Sequence, residues 1–316
     1  MPSSPTTPKV LRRMAPPARH GFPPSVFIIG AQKAGTTYLA NLLAAQETVC
    51  VAQPKEPDYF TRHHGHGEAW YRAHFARPDK VLVDGSTSYT LYGPTNGPAG
   101  TDPAARIHAA SPDARLIYVV RHPIRRAHSA YLHACRYGEE RRTFDACLAP
   151  DAGYVMASRY PHQLDAYRRF FPPDQIHVVS AEHLWHTPEQ VLAGVSDFLG
   201  LPRPAPLTGS VAETPVNRAV AFNGLGAGLT RLLGKRGLKT ANSLVKTVLP
   251  GELHHALKRL VTRTPPEITH AQWARLATLL EADTQRLARE TGIVYDLSPP
   301  ADLQPSKPNV ETRRLD

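Results

Sequence analysis

Residues 26–37 read VFIIGAQKAGTT, and the order of residue types in this stretch decides the fold. Val26 to Ile29 is an apolar run of strand length. Gly30-Ala31-Gln32-Lys33-Ala34-Gly35 follows as a loop of small residues around one lysine. Thr36-Thr37 then leads into Tyr38-Leu39-Ala40-Asn41-Leu42-Leu43, a helical pattern. A strand, a glycine loop and a helix N-terminus in succession make an anion site. Glycines let backbone N–H groups approach the anion, the helix dipole favours negative charge, and Lys33 adds a cation. A phosphorylated ligand is expected there. The loop is not that of the standard nucleotide hydrolases, which need Gly, four residues and then Gly-Lys-Ser/Thr. Here the lysine precedes the second glycine.

Outward from this stretch, apolar runs alternate with helical patterns. Val49–Ala52, Lys80–Asp84, Leu116–Val120 and Gln175–Ser180 read as further strands. Helices are expected near Ala104–Ala110, from Ile124 to about Arg136, over 158–171, over Pro188–Leu199 and over 267–291. This alternation predicts an α/β fold of three layers, with a central parallel sheet flanked by helices. The His-rich stretch 61–75 offers His63, His64 and His66 as metal ligands, but this spacing in a polar loop more often marks solvated side chains. No internal repeat is evident.

The 316 residues form a chain long enough for one large α/β domain, and 41% hydrophobic content supports a core. Lysine and arginine number 37 against 27 acids, a formal charge of +10. Such a surface attracts anions without choosing among nucleotides, acidic glycans, nucleic acid and anionic lipid. No basic stripe interleaved with aromatics and no zinc pattern points to nucleic acid. Cys50, Cys135 and Cys147 are odd in number and widely spaced, which argues against a disulfide framework. With the Ala/Arg/Pro-rich composition, this suggests a bacterial cytoplasmic protein. Residues 1–24 are rich in Pro and Ser, lack a signal-peptide core and read as a disordered lead-in. No segment approaches the roughly 18 apolar residues of a membrane span.

A second segment, LIYVVRHPIRRAHS over 116–129, puts Arg121 at a strand end, a proline at the helix start and Ser129 two turns along. Arginine and hydroxyl can converge there on one phosphate. Together the two segments resemble the 5′-phosphosulfate and 3′-phosphate motifs of sulfotransferases, particularly the heparan-sulfate and bacterial branch. Pro54–Phe60 (PKEPDYF) is similar to that family's catalytic strand–loop, and residues 160–201 to the stretch closing its cofactor fold. The similarity runs over about residues 25–202.

The resemblance implies a P-loop-like fold with about five parallel strands in a single domain over 25–297. It implies 3′-phosphoadenosine 5′-phosphosulfate (PAPS) as co-substrate and no metal requirement. Gln32, Lys33, Ala34, Gly35, Thr36, Thr37, Arg121, Ser129 and Tyr160 become the expected contacts to it. Glu56 becomes the general base, Lys33 the cation on the breaking bond, Lys55 an orienting cation and Asp84 a second acid that positions the acceptor.

The chain also departs from the family pattern. It has no cysteine beyond Cys147 to bound the family's C-terminal cofactor loop, and Gly234-Lys235-Arg236-Gly237 is not that loop's motif. Where the family usually has Glu and sometimes Lys, this chain has Asp84 and Gly85. The sulfuryl acceptor, a hydroxyl or amine of a small molecule or glycan (a saccharide, lipid or natural product), stays unassigned. Residues 223–263 are basic with Leu and Val at helical spacing. They fit an acceptor-side lid, a docking face for an acidic glycan, a membrane-surface helix or a plain solvated face. Residues 298–316 read as a loose tail. The rival readings are a P-loop kinase or ATPase, which the loop order opposes, and a non-catalytic protein that binds nucleotide or anionic glycan.

Overall fold

The structure, a computed structural model, describes residues 18–91, 101–204, 206–207, 221–222, 262–263 and 266–303. Its strands are β1 (Val26–Gly30), β2 (Val49–Val51), β3 (Val81–Asp84), β4 (Arg115–Val120) and β5 (Ile176–Ser180). They form one parallel sheet in the order β2-β3-β1-β4-β5. Every residue of β1 and of β4 is buried. Such continuous apolar runs are what a parallel sheet covered on both faces requires. The order reverses at β1, whose neighbours β3 and β4 lead away on opposite sides. In open α/β sheets ligands bind at the carboxyl ends of strands at such a switch point. The segments quoted above as anion motifs both emerge there.

The larger helices are α1 (Thr36–Ala44), α2 (Gly67–Arg72), α3 (Pro103–Ala110), α4 (Pro123–Arg136), α5 (Gly153–Met156), α6 (Tyr160–Arg168), α7 (Ala181–His186), α8 (Pro188–Leu199) and α9 (His270–Thr291). Helix α4 begins on proline, as the sequence predicts. Helix α9 opens with a capping box between Thr269 and Gln272 and ends on Gly292 in the left-handed region. The main core surrounds the sheet. A second cluster, which includes Ile124, Tyr131, Phe144, Trp273, Leu276 and Leu280, fastens α9 to α4.

Both ends pack further than the sequence suggests. From residue 18 onward the expected lead-in is held against the fold. Ala18 is buried with its N–H donating to the Leu199 carbonyl, His20 bridges Val81, and the Phe22 ring meets Tyr71 and Phe75 edge-on. At the other end, residues 298–303 are tied in by Leu303, which packs against the second cluster. The basic stretch 223–263 lies outside the described residues except for Thr262–Arg263, a short strand, β7, rather than helix. It pairs antiparallel with Ala221–Phe222, β6. His63 and His66 lie against the Trp70 ring at centroid distances of 5.2 and 4.9 Å.

Candidate active site

The loop between β1 and α1 leaves the first turn of α1 open to an anion. Gly35 caps the helix with φ of 90° and offers no side chain, and the first turn carries no acidic residue. The leading N–H groups of a helix have no partner inside it, so those of Thr36 and Thr37 are available to a ligand. A Cβ at Gly35 would stand 3.1 Å from Nε1 of Trp185. The positive φ and the indole therefore both call for glycine.

Lys33 sits at φ 71°, a left-handed conformation that costs a non-glycine residue about 1 kcal/mol or more. Its Nζ lies 3.5 Å from Nδ1 of His133, on α4 one turn beyond Ser129. Burial pushes the Lys33 ammonium below its usual pKa, the charges of Arg121 and Arg136 push the same way, and Glu56 opposes them. A cluster of cations held close together in partial burial is a site made for a multiply charged anion.

Arg121 crosses from the end of β4 to the loop and donates to the Lys33 carbonyl at 3.1 Å. Its guanidinium lies 5.0 Å from the Trp185 ring centroid, and its Nε is buried with no hydrogen-bond partner. That buried donor is suited to an anionic ligand. Ser129 is half-buried on the adjoining face of α4. Tyr160 is expected as a ligand contact, but its position corrects this. Its ring is buried and its hydroxyl donates to the Arg121 carbonyl at 2.6 Å. It fixes the Arg121 main chain from behind.

The loop after β2, which carries Lys55 and Glu56, is fastened to the loop after β3. The Gly85 N–H donates to the Lys55 carbonyl, the Asp58 N–H to Ser86 Oγ at 2.9 Å, and Ser88 Oγ to Asp58 at 2.6 Å. Lys55 Nζ is fully occupied. It donates to the Gly85 carbonyl at 2.8 Å and to Thr36 Oγ1 at 3.2 Å, and pairs with Glu56 at 2.8 Å. Gly85 makes room for this lysine, since a Cβ there would stand 3.0 Å from Lys55 Cγ. Glu56 also accepts from Thr87 Oγ1 at 3.0 Å, so two donors aim its carboxylate. Neither Thr87 nor His133 is expected from sequence. Thr87 lies within the quoted GSTSY run, and the four-residue step from Ser129 is the only signal for His133.

Asp84 needs correction. It is completely buried, and its two oxygens accept four hydrogen bonds, from the Ser86 N–H and hydroxyl and from the hydroxyls of Tyr71 and Tyr89. Burial raises its pKa to about 6 against those hydrogen bonds. No lone pair faces the cleft, so Asp84 organises the β3 loop and does not meet an acceptor.

A parallel sheet with an open helix N-terminus, a loop lysine and a strand-end arginine at its switch point defines a P-loop-like α/β protein. Within that class, residues 52–205 of the chain match the model of the sulfotransferase family. Human heparan sulfate glucosamine 3-O-sulfotransferase 6 is 34% identical over 197 residues, which are 59% of this chain and 55% of that protein. Human heparan sulfate glucosamine 3-O-sulfotransferase 3B1 is 33% identical over 191 residues, 57% of this chain and 47% of that protein. The chain thus spans about half the length of the curated relatives it matches. The crystal structure of a sulfotransferase from Alicyclobacillus acidocaldarius shares the fold at a TM-score of 0.55 and 21% identity, covering 86% of this chain and 97% of that one.

Proposed function

We propose that this chain transfers a sulfuryl group from PAPS to a hydroxyl or amine of a small-molecule or glycan acceptor. The observation that carries the reading is the pair of anion positions at the switch point. One is the uncapped N-terminus of α1 with Lys33, for the 5′-phosphosulfate; the other is Arg121 with Ser129, for the 3′-phosphate. PAPS would supply the activated sulfuryl group. Thr36 and Thr37 N–H groups hold the 5′-phosphate, with the Thr37 hydroxyl beside them. Lys33 offsets the charge that develops at the leaving phosphate. Glu56, aimed by Lys55 and Thr87, takes the acceptor proton as general base. Catalysis of this kind is mostly positioning and electrostatics. The reading extends to a bacterial cytoplasmic setting, supported by composition and by widely spaced cysteines. No helix among the described residues is long and apolar enough to cross a membrane.

The test is calorimetric titration with adenosine 3′,5′-bisphosphate and with ATP–Mg²⁺, on the wild type and on Lys33→Ala. Binding of the bisphosphate without added metal, weakened about 10- to 100-fold in the variant, is the expected result. Preference for ATP–Mg²⁺ would sink the reading in favour of a kinase.

A further inference from the structure

A cleft of about 480 Å³ opens beside the anion loop. Gln32 and Leu91 form one wall, and Ala130 and Ala134 of α4 another. The segment 139–157 closes it with four more alanines. The cleft shares Gln32 with the anion loop, and its walls are the chain neighbours of the residues at the reacting end. Gln32 immediately precedes Lys33, and Ala134 immediately follows His133, which stands at the Lys33 ammonium. A volume of this order takes a compact organic molecule, and methyl-sized walls leave width for a ring or an alkyl body.

The charges around the cleft are as informative as its shape. Its two arginines are both engaged by the protein. Arg126 has no exposed surface, and its guanidinium donates to Ser158 Oγ at 2.7 Å and to the Tyr154 carbonyl. Arg142 grips both oxygens of Glu140, at 3.0 and 2.7 Å. Glu140 is thereby held ionised, with its pKa down at about 2. Glu139 and Asp151 add two further acids to the lining. A polysulfated chain entering this space would meet carboxylates and alanines, and desolvating its anions there is unfavourable. A neutral molecule meets no such penalty, and a cationic one has carboxylates to pair with.

We infer that this cleft is the acceptor pocket and that its acceptor is a compact alcohol or amine with an apolar body and no anionic group. The inference rests on the sulfuryl-transfer reading above. The acceptor oxygen or nitrogen forms the new bond to sulfur as the bond from sulfur to the 5′-phosphate oxygen breaks. The electron pair leaves with that phosphate, and the acceptor proton passes to Glu56.

The experiment measures sulfate transfer from PAPS by the full chain to two sets of probes. One set is neutral or cationic: 2-naphthol, octyl β-glucoside and octylamine. The other is an N-sulfated heparan oligosaccharide. Ala134→Phe and Ala152→Leu, which narrow the cleft from opposite walls, are assayed beside the wild type, with bisphosphate affinity as the measure of an intact fold. At least one member of the first set is expected to be sulfated with kcat/KM about 100-fold above the oligosaccharide. Each variant should lose about tenfold or more on that probe while its bisphosphate Kd stays within about twofold. Preference for the oligosaccharide, inert neutral probes on a protein that binds bisphosphate, or wild-type turnover in both variants would overturn the pocket assignment. A wild type that does not bind bisphosphate removes the sulfuryl-transfer reading itself, which separates the two failures.

Discussion

At the scale of single residues, the roles proposed for Lys33 and Glu56 differ in kind and separate in experiment. Glu56 is aimed by Lys55 and Thr87 but stands outside the phosphate contacts. Glu56→Gln should therefore keep its bisphosphate affinity within about twofold and lose about 100-fold or more in turnover. Single-turnover transfer from PAPS reads this directly, and an unchanged rate removes Glu56 from the base role. Lys33 acts through its charge, which burial and two neighbouring arginines make easier to lose. The bound anion requires the protonated ammonium, so affinity falls as pH rises through the pKa of Lys33. That fall should begin at a lower pH than the ordinary lysine value of 10.5 would set. Lys33→Arg, with a guanidinium that stays charged, should flatten it. A bisphosphate Kd measured from pH 7 upward with equal alkaline slopes in both proteins would count against this assignment.

At the scale of elements, the Arg121 turn is held by a clamp from the far end of the chain. Glu182 of α7 accepts from the His122 N–H at 2.9 Å and from the Tyr295 hydroxyl at 3.0 Å. The His122 ring bonds the Asp296 carbonyl through Nε2 at 2.8 Å, and Trp273 donates to the Leu297 carbonyl. The segment after α9 thus props the turn that carries Arg121, proposed above to hold the 3′-phosphate. Tyr295→Phe deletes one hydrogen bond of the clamp, worth about 1 kcal/mol. Bisphosphate Kd should weaken about three- to tenfold, while a Tyr295→Phe melting temperature near that of the wild type would separate positioning from stability. An unchanged Kd would reduce the clamp to packing.

The same scale shows what the sequence discloses. Strands β1 and β4 are legible because a sheet covered on both faces needs unbroken apolar runs, and α4 is legible from its opening proline. The two segments proposed to hold phosphates are legible as strand–turn–helix units because each is continuous in sequence. The contact of Thr87 with Glu56 joins residues 31 apart through two irregular loops, which leaves no periodic trace. Asp84 misleads for a related reason. A carboxylate at a strand end reads as solvent-facing, and the tyrosines that bury it, Tyr71 and Tyr89, come from separate segments. Ala18 and Phe22 are hidden by the Pro- and Ser-rich composition around them.

At the scale of the whole molecule, Asp84 ties the pH dependence of folding to one buried carboxyl. Its pKa is about 6 in the folded chain against an ordinary 3.8. Between those values the folded state holds a proton that the unfolded state releases. Stability from this group is therefore complete below about pH 4 and drains as pH rises through about 6, with a slope of at most about 1.4 kcal/mol per pH unit. Asp84→Asn does not titrate. The difference in unfolding free energy between wild type and Asp84→Asn should change across pH 4 to 6 and level off above about 7. Urea titrations at a series of pH values measure it, and a constant difference would refute the assignment.

One feature of the site bears on how the molecule recognises its ligand. Arg121 bonds the loop that holds Lys33 and lies over Trp185, whose indole in turn abuts Gly35 at the head of α1. The two phosphate positions are therefore jaws of a single caliper whose opening is set by the backbone. If the proposed ligand binds there, it would be gauged by the span between its phosphates before its base or sugar is consulted. On the proposed reading, a molecule with as many phosphates on a different span, such as an adenosine diphosphate, would fill one jaw and leave the other empty.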